Sequence, residues 1–573
     1  MAPVNLPQTD VVVIGLGAAG GLAVLPLARA GLKIVGLEAG GWFKPTDHLP
    51  DEIRNNVRHW PHAVQKVNQE IPTARVGRNG PALPRPAYHP MMNGVGGTSL
   101  HYWGQSWRLT QWDFKVRSET LRRYGQAAIP EGSTVEDWPV TYEELEPYYD
   151  KVEYTIGVAG KAGNIRGTLD QAGNIFESAR RREYPMPALR HAGFADHMAD
   201  AAKKLGWHSY CPPAAINSVP YGKRPACFYH GFCGSGGCPI NAKNSTAVTT
   251  IPQAVATGNL KVVPYAHVIA IDSDAHGRVT GVRYLKDKKE YFQPASAVLL
   301  ASYTYENTRL LLLSKSKAYP GGLSNNHGQV GSHYMSHTRN GVMGLFPFDL
   351  NRWYGTPAQG TSVDNWSDDN FDHSGLGFIG GGNLLVPMEA KPIEAASMST
   401  FGKVPRWGAG WKAFVKENAG RWTPVWAQLS TLPFEDHFLD LDPEVKDPLG
   451  YPVCRLTVGL KDSEKRAILF MQDKADQWLR EAGAIATDKL PSGPIALSTH
   501  AYGGTRMGDN PETNVVNRWG FSHEAPNLGI LGASVMGTTG SRNPTLTVQA
   551  LAWRSADHLI REWKSIAGNS NQA

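Results

Sequence analysis

Residues 9–41 read TDVVVIGLGAAGGLAVLPLARAGLKIVGLEAGG, and this stretch decides the fold of the amino-terminal region. The apolar run at 11–14 is typical of a buried strand, and the turn at 15–20 matches G-x-G-x-x-G. A helix rich in alanine and leucine follows, and a second strand ends at Glu38. This order of strand, glycine turn, helix and strand predicts the first βαβ unit of a Rossmann-like sheet.

Each conspicuous residue of this unit has a physical role in binding a dinucleotide. Gly15 allows the tight turn, Gly17 lets the backbone approach a pyrophosphate, and Gly20 lets helix and strand pack closely. The amino-terminal end of the helix then directs its amides and its positive dipole at the phosphates. Glu38 lies where a carboxylate accepts hydrogen bonds from ribose hydroxyls, which favours NAD or FAD over NADP.

Composition and charge narrow the class of protein. A chain of 573 residues is long enough for several domains, and its net charge of +6 is spread without a run of lysine or arginine. Because phosphate backbones require clustered positive charge, we expect no nucleic-acid partner. The long uncharged run at 11–28 contains four glycines and Pro26, so we expect no membrane span there, and the start of the chain lacks the pattern of a secretory signal.

A second glycine-rich stretch, MMNGVGGTSLHYWGQSWR at 91–108, places Gly96 and Gly97 just before His101. Bare backbone next to a histidine and two aromatic rings suits a segment that passes close to a flat ring system. Taken alone, the stretch is more simply an ordinary glycine loop with a packed histidine.

Two loops near the carboxyl end each contain one polar residue among glycines. STHAYGGTRMG at 498–508 contains His500, and GASVMGTTGSRNPTLTVQALAWRSADHL at 532–559 contains Asn543. Apolar residues at helical spacing follow Asn543 and predict a helix capped by Thr545 or Thr547. Taken singly, His500 is as well explained as a core histidine, and Asn543 as a turn residue before proline.

Together these stretches resemble the glucose–methanol–choline (GMC) oxidoreductases, which are FAD enzymes. The resemblance covers nearly the whole chain and rests also on VLLASYTYENTRLLLLS at 298–314. The stretch EDWPVTYEELEPYYDKVE at 136–153 is similar, more specifically, to flavoprotein subunits of bacterial membrane-bound sugar and sugar-acid dehydrogenases of the gluconate 2-dehydrogenase type. Thr141 and Glu144 in that stretch match a capping box, which predicts the start of a helix.

The resemblance implies a catalytic pair. In this family a histidine–asparagine or histidine–histidine pair faces the flavin N5, and His500 and Asn543 are the matching positions. A neutral histidine can accept the hydroxyl proton of an alcohol while flavin accepts the hydride, and asparagine can hold the substrate oxygen. The resemblance also implies FAD contacts at Gly15, Gly17, Gly20, Glu38, Gly96, Gly97, His101, Val268, Ala533, Asn543, Pro544 and Thr545.

The resemblance leaves the attachment of FAD open. In choline and pyranose oxidases a histidine at the spacing of His101 carries FAD through a covalent bond. Other relatives keep a histidine there and bind the cofactor without a covalent bond. Both alternatives therefore remain for His101.

Three of the five cysteines, Cys227, Cys233 and Cys238, lie in the short loop ACFYHGFCGSGGCPINAK at 226–243. Three thiolates in a glycine-rich loop suit a [3Fe–4S] cluster, and proline after the last cysteine is typical of ferredoxin-type binding runs. The alternatives are a zinc site completed by His230, a disulfide, or thiols without function. The resemblance favours the cluster, although the interval before Cys238 is one residue longer than the usual spacing in relatives that carry one.

Motifs near both ends of the chain must meet at one flavin, so we predict an α/β fold with a discontinuous FAD-binding domain. This domain comprises 1–125, 211–335 and 491–573, and the cysteine-rich loop spans 225–240. An α+β substrate domain, with a sheet over the flavin, comprises 126–210 and 336–490. The second of these segments is rich in tryptophan, which either stacks on sugar rings or fills the core.

The sequence thus predicts an FAD-dependent dehydrogenase of a sugar, sugar acid or polyol. The resemblance implies a small subunit and a cytochrome c subunit as partners, with electrons leaving through the cluster to a cytochrome or quinone. It also implies the periplasmic face of the inner membrane, reached through these partners, or the cytoplasm if the chain acts alone. The alternatives are a soluble oxidase that makes hydrogen peroxide, an NAD-linked dehydrogenase, and a flavin-binding protein without activity.

Overall fold

The computed structural model describes residues 2–54, 70–84, 91–191, 193–234, 236–398, 401, 404–495 and 498–568. The strands are β1 (Val4–Asn5), β2 (Thr9–Ile14), β3 (Ile34–Glu38), β4 (Thr73–Arg75), β5 (Leu83–Pro84), β6 (Asn164–Ile165), β7 (Thr168–Leu169), β8 (Ser209–Tyr210), β9 (Leu260–Pro264), β10 (His267–Ser273), β11 (Val279–Lys286), β12 (Lys289–Leu300), β13 (Met335–Ser336), β14 (Thr338–Leu345), β15 (Thr361–Val363), β16 (Ser367–Asp368), β17 (Gly380–Val386), β18 (Trp422–Leu429), β19 (Phe438–Lys446), β20 (Pro452–Thr457), β21 (Ala486–Lys489), β22 (Ala501–Tyr502) and β23 (Leu528–Ile530). The helices are α1 (Gly20–Arg29), α2 (Gln111–Phe114), α3 (Val116–Tyr124), α4 (Tyr142–Val152), α5 (Gly193–Lys204), α6 (Thr250–Ala256), α7 (Thr304–Leu313), α8 (Pro392–Met398), α9 (Gly408–Asn418), α10 (Asp462–Glu481), α11 (Thr545–Arg561) and α12 (Trp563–Ala567).

The first sheet has the order β10–β11–β12–β2–β3–β9, and β1 and β23 also pair with β12. The pairs β12/β2, β2/β3, β3/β9 and β12/β23 are parallel, as expected for a sheet covered by helices on both faces. The predicted strand, glycine turn, helix and strand are confirmed as β2, the turn at 15–19, α1 and β3. Helix α1 packs against α6 and α11, and its buried apolar side chains belong to the largest hydrophobic core cluster of the described residues.

The second sheet has the order β21–β14–β18–β17–β15–β8, with β16 paired to β17, and its pairs are antiparallel. Helix α10 covers one of its faces, where Val342, Val425 and Ala427 are buried. Because side chains alternate along a strand, Trp426 and Gln428 of β18 lie on the opposite face. That face turns toward residues 541–543, since the amide of Gln428 donates to the Ser541 carbonyl.

Two smaller sheets join segments that are distant in the chain. One has the order β19–β20–β4–β5, and the other is the pair β13/β22, which connects the 335–337 segment to the predicted histidine loop. The boundaries of the predicted FAD-binding and substrate domains stay predictions.

Two local predictions on helix starts have different outcomes. The capping box is confirmed: the Thr141 hydroxyl accepts from the Glu144 amide at 3.3 Å, and the Glu144 carboxylate accepts from the Thr141 amide at 3.0 Å. The threonine cap of α11 is wrong, because the helix begins at Thr545 with Pro544 at the cap position. The Thr547 hydroxyl lies 2.8 Å from the Tyr149 hydroxyl instead. Within the described residues, no helix combines the length and the apolar character needed to cross a membrane.

Candidate active site

A cavity of about 270 Å³ lies at the carboxyl ends of β2 and β3, where parallel sheets of this kind place their ligands. It brings together residues from both ends of the chain. Nine of the predicted site residues line it: Gly15, Gly17, Glu38, Gly97, Val268, His500, Ala533, Pro544 and Thr545. The sequence motifs therefore converge on one space, as the fold prediction requires.

Gly15, Gly17 and Gly97 form a cradle of bare backbone, and at Gly15 and Gly97 there is no room for a side chain. A Cβ atom on Gly97 would lie 2.7 Å from the Gly17 Cα, and the φ of Gly97 is +55°. A Cβ atom on Gly15, whose φ is +86°, would lie 2.6 Å from the Ala301 carbonyl oxygen. Such bare backbone next to the amino-terminal end of α1 fits a dinucleotide with its pyrophosphate at the turn.

Gly20 and Gly96 do not line the cavity but support it. A Cβ atom on Gly20 would overlap the Gly15 carbonyl, so this glycine allows the close packing of helix and strand that the motif predicts. Gly96, with a φ of +104°, precedes a 3-10 turn at Gly97–Leu100.

Glu38 ends β3 and is 7% exposed at the cavity wall. One carboxylate oxygen accepts from the Leu16 amide at 3.0 Å, and the other accepts from the amides of Gly40 and Gly94 at 3.0 Å. The carboxylate thus ties the glycine turn to the second glycine loop. Its contact with a ribose stays a prediction.

His101 is buried at the end of the 3-10 turn, and its amide donates to the Thr98 carbonyl at 3.2 Å. The cavity lining includes Thr98, Ser99 and Tyr102 but not His101. Covalent and non-covalent binding of FAD stay alternative predictions for this residue.

His500 is half-buried and lines the cavity from the loop that precedes β22. Its carbonyl accepts from the His337 amide at 3.2 Å, and its Nδ1 lies 3.0 Å from the Nδ1 of His337. Burial, together with His337 and the cation of Arg339, lowers the pKa of His500 well below its ordinary value. His500 is therefore neutral near pH 7 and able to accept a proton.

Asn543 directly precedes the two lining residues of the 544–545 segment but does not itself line the cavity. Its side-chain oxygen accepts from the Gln428 amide at 3.1 Å, which links it to the second sheet. The Arg542 guanidinium donates to Asp364 at 2.8 Å and pairs with Asp368, and all three side chains are buried. This ion cluster holds the backbone that carries Asn543.

Two family models described as GMC oxidoreductase match residues 132–339 and 433–552. The gluconate 2-dehydrogenase flavoprotein of Pantoea cypripedii is 31% identical over 99% of this chain and 96% of its own length. The chain belongs to the GMC oxidoreductase family. The fructose dehydrogenase large subunit of Gluconobacter japonicus is 28% identical over 97% of this chain and 98% of its own. A solved formate oxidase of Aspergillus oryzae has a TM-score of 0.61 at 15% identity, covering 99% of this chain and 100% of that chain, and so shares the fold.

This GMC oxidoreductase is a flavoprotein enzyme that acts on CH–OH groups. Membership selects FAD rather than NAD as its dinucleotide, and the predicted fold class is confirmed. The glycine cradle and the carboxylate of Glu38 are the residues that would hold FAD, with Val268 and Ala533 further along the same wall.

A second, smaller cavity of about 70 Å³ lies at the face of the second sheet that α10 leaves uncovered. Trp103, Trp422 and Trp426 line it with Arg339, whose guanidinium carbon lies 4.1 Å from the Trp426 ring centre and 5.0 Å from that of Trp103. Arg339 is exposed to this space. Packing in the core is confirmed for Trp478, which is fully buried, whereas stacking of tryptophans on sugar rings stays a prediction.

The cysteine loop of this flavoprotein does not have the arrangement of a metal site. Among the described residues, no group of three His, Cys, Asp or Glu side chains could hold a metal ion, and the five cysteines are free thiols. Burial raises the pKa of Cys227 to about 12. Burial opposes ionisation of Cys238 as well, but His230 and two backbone amides stabilise its thiolate and lower its pKa to about 7. As they stand, the three thiols fit neither a cluster, nor zinc, nor a disulfide.

The sequence reasoning missed His337, Arg339 and Gln428. The first two stand two residues apart in a strand pattern and so share a face, which is the one signal that could have found them. Arg339 is directly opposite Gln428 in the β14/β18 ladder. Their relation to His500 depends on pairing between distant segments.

Proposed function

We propose that this flavoprotein is a dehydrogenase that oxidises an alcohol carbon of a sugar, sugar acid or polyol, with His500 as the base and Asn543 as the residue that orients the substrate oxygen. The observation that carries the proposal is the presence of a neutral, half-buried His500 in the same cavity as the glycine cradle. A proton acceptor is thereby held beside the place where the dinucleotide fits.

The chemistry follows from His500, which lines the cavity, and from Asn543, which directly precedes two of its lining residues. His500 accepts the hydroxyl proton on a ring nitrogen, while the Asn543 amide, fixed by Gln428, is available to hold the same oxygen. FAD, when bound, supplies the acceptor for the hydride that leaves the carbon, so that an alcohol becomes a carbonyl.

The substrate class is supported by the relatives and by the second cavity. The names of two relatives specify gluconate and fructose, both of them rich in hydroxyl groups. Trp103 and Trp426 offer ring faces on which a sugar can stack, and Arg339 between them offers a cation to a carboxylate.

For the route of the electrons, we propose transfer to partner subunits rather than to oxygen. The name of one relative, a large subunit, supports the presence of partner subunits. On the family resemblance, we propose that these are a small subunit and a cytochrome c subunit on the periplasmic face of the inner membrane. A [3Fe–4S] cluster on Cys227, Cys233 and Cys238 would require these thiols to rearrange. The alternative is a soluble oxidase that makes hydrogen peroxide.

The test is anaerobic reduction of the bound flavin by gluconate, fructose and a panel of polyols, monitored by the absorbance of the flavin. We expect His500→Ala to lower the rate at least a hundredfold, whereas His558→Ala, which removes a ring stacked on Trp519 outside the cavity, should leave it unchanged. Reduction at the wild-type rate in His500→Ala, with every sugar tested, would remove the proposed base.

The same preparation distinguishes the electron routes. Rapid peroxide formation in air supports the oxidase. Slow peroxide formation, with fast reduction of a cytochrome or a quinone analogue, supports the dehydrogenase. Iron and acid-labile sulfide, measured with zinc as control on protein purified without oxygen, decide between a cluster and bare thiols.

A further inference from the structure

His337 is buried between the catalytic histidine and a backbone carbonyl. It is 1% exposed, and each of its two ring nitrogens has a polar partner within 3.0 Å. Nε2 lies 2.9 Å from the Gly540 carbonyl oxygen, and Nδ1 lies 3.0 Å from the Nδ1 of His500. The ladder between β13 and β22 holds the two histidine segments side by side.

The Gly540 carbonyl decides which nitrogen of His337 carries the proton. A carbonyl oxygen only accepts, so the contact is attractive only when Nε2 is the donor. Burial lowers the pKa of His337 to about 4, so the ring is neutral near pH 7 and holds one proton. That proton is on Nε2, and Nδ1 is consequently an acceptor.

The Tyr502 hydroxyl does not compete for this acceptor. It lies 3.3 Å from both ring nitrogens of His337, whereas an in-plane hydrogen bond to one nitrogen would leave it much farther from the other. The hydroxyl therefore lies over the ring, consistent with the edge contact between the two rings. The in-plane lone pair of Nδ1 is left for His500.

We propose that His337 is a positioning residue that holds His500 in the tautomer with the proton on Nδ1, which leaves Nε2 of His500 free to accept the proton of the substrate. In this chain of hydrogen bonds, His337 Nε2–H donates to the Gly540 carbonyl, and His500 Nδ1–H donates to His337 Nδ1. The inference rests on the proposed role of His500 as the base. It adds which ring nitrogen of His500 accepts the proton and which contacts determine this.

Two substitutions separate this role from simple packing. His337→Gln keeps one donor and one acceptor on a neutral side chain, whereas His337→Leu removes both. We expect His337→Gln to reduce flavin within about threefold of the wild-type rate. We expect His337→Leu to slow reduction at least tenfold, with the apparent Kd for the substrate unchanged, because only the base is disturbed. In the serine-protease triad, loss of the correct tautomer lowers turnover ~10⁴-fold.

The tautomer of each histidine can be measured directly, without an active variant. Long-range ¹H–¹⁵N spectra of the holoenzyme labelled with ¹⁵N-histidine report the protonated nitrogen of each ring, and the His500→Asn and His337→Gln spectra assign the two signals. We expect Nδ1–H for His500 and Nε2–H for His337 in the wild type. Nε2–H on His500 would overturn the inference, whether or not His337→Leu folds.

The outcomes keep the two proposals apart. If His500→Ala is inactive while His337→Leu reduces flavin normally, the base stands and the positioning role fails. If His500→Ala reduces flavin normally, the proposed function fails whatever the tautomer. Slow reduction in His337→Leu with recovery in His337→Gln supports the positioning role.

Discussion

Removing Arg542 should destabilise the enzyme more than removing any surface arginine, because Arg542 neutralises buried carboxylates. Its guanidinium donates to Asp364 at 2.8 Å, pairs with Asp368, and lies 4.0 Å from Asp113. Burial raises the pKa values of Asp113 and Asp368, whereas Arg542 and neighbouring side-chain donors hold the pKa of Asp364 below its ordinary value despite burial. Arg542→Met therefore leaves an ionised Asp364 without its cation.

The size of the effect follows from the cost of breaking a buried pair, ~3–5 kcal/mol. Unfolding entropy of about 2.1 cal/mol/K per residue over 573 residues is ~1.2 kcal/mol/K, which converts this loss to a fall in Tm of ~3–4 °C if the chain unfolds as one unit. Because Asn543 is the next residue, the rate of flavin reduction should fall as well.

The assay is thermal unfolding followed by circular dichroism and by flavin release, with Arg283→Met as the matched control. Arg283 pairs with Asp272 at 2.9 Å on the surface, where a pair contributes ~0–1 kcal/mol. The double variant Arg542→Met/Asp364→Asn should recover part of the loss, since the unpaired charge is gone. A Tm for Arg542→Met equal to that of the control, or no recovery in the double variant, would refute the reasoning.

Three further predictions concern the cofactor, the substrate and pH. Gly97→Ala should purify with less FAD than wild type, measured by absorbance, because its Cβ would lie 2.7 Å from the Gly17 Cα. Gly132→Ala, with a φ of +74° and open space around it, is the control for backbone strain alone. Full FAD content in Gly97→Ala would contradict the role of the glycine cradle in binding FAD. Arg339→Met should raise KM for gluconate ~10-fold or more relative to a neutral sugar, since a charge-assisted hydrogen bond contributes ~1.5–3 kcal/mol, and an equal change for both substrates would argue against a carboxylate at Arg339. Burial lowers the pKa of several histidines to about 3 or 4, so as pH falls these side chains are protonated in the unfolded chain before they are protonated in the folded protein. The free energy of unfolding should therefore be highest above pH ~6.5 and decline toward pH 4, by up to ~1.4 kcal/mol per pH unit for each group. A Tm that stays constant from pH 7 to 5 would contradict this prediction. These histidines are His48, His333, His337, His373 and His437.

Features set by a few neighbouring residues were predictable from the sequence. The βαβ unit and the Thr141 capping box depend on backbone angles and hydrogen bonds within a few positions, and both appear as predicted. The threonine cap of α11 failed because Pro544 takes the cap position and the Thr547 hydroxyl has a tertiary partner in Tyr149.

The sequence by itself therefore determined the nucleotide-binding unit, the family and the two loops that carry His500 and Asn543. Only the tertiary structure decided what those residues contact. The partner of the His500 Nδ1 is 163 positions away in the chain, and that of the Asn543 side chain is 115 positions away. The physical reason is that hydrogen bonding and desolvation act through space, so protonation states and side-chain roles depend on which strands the fold brings together.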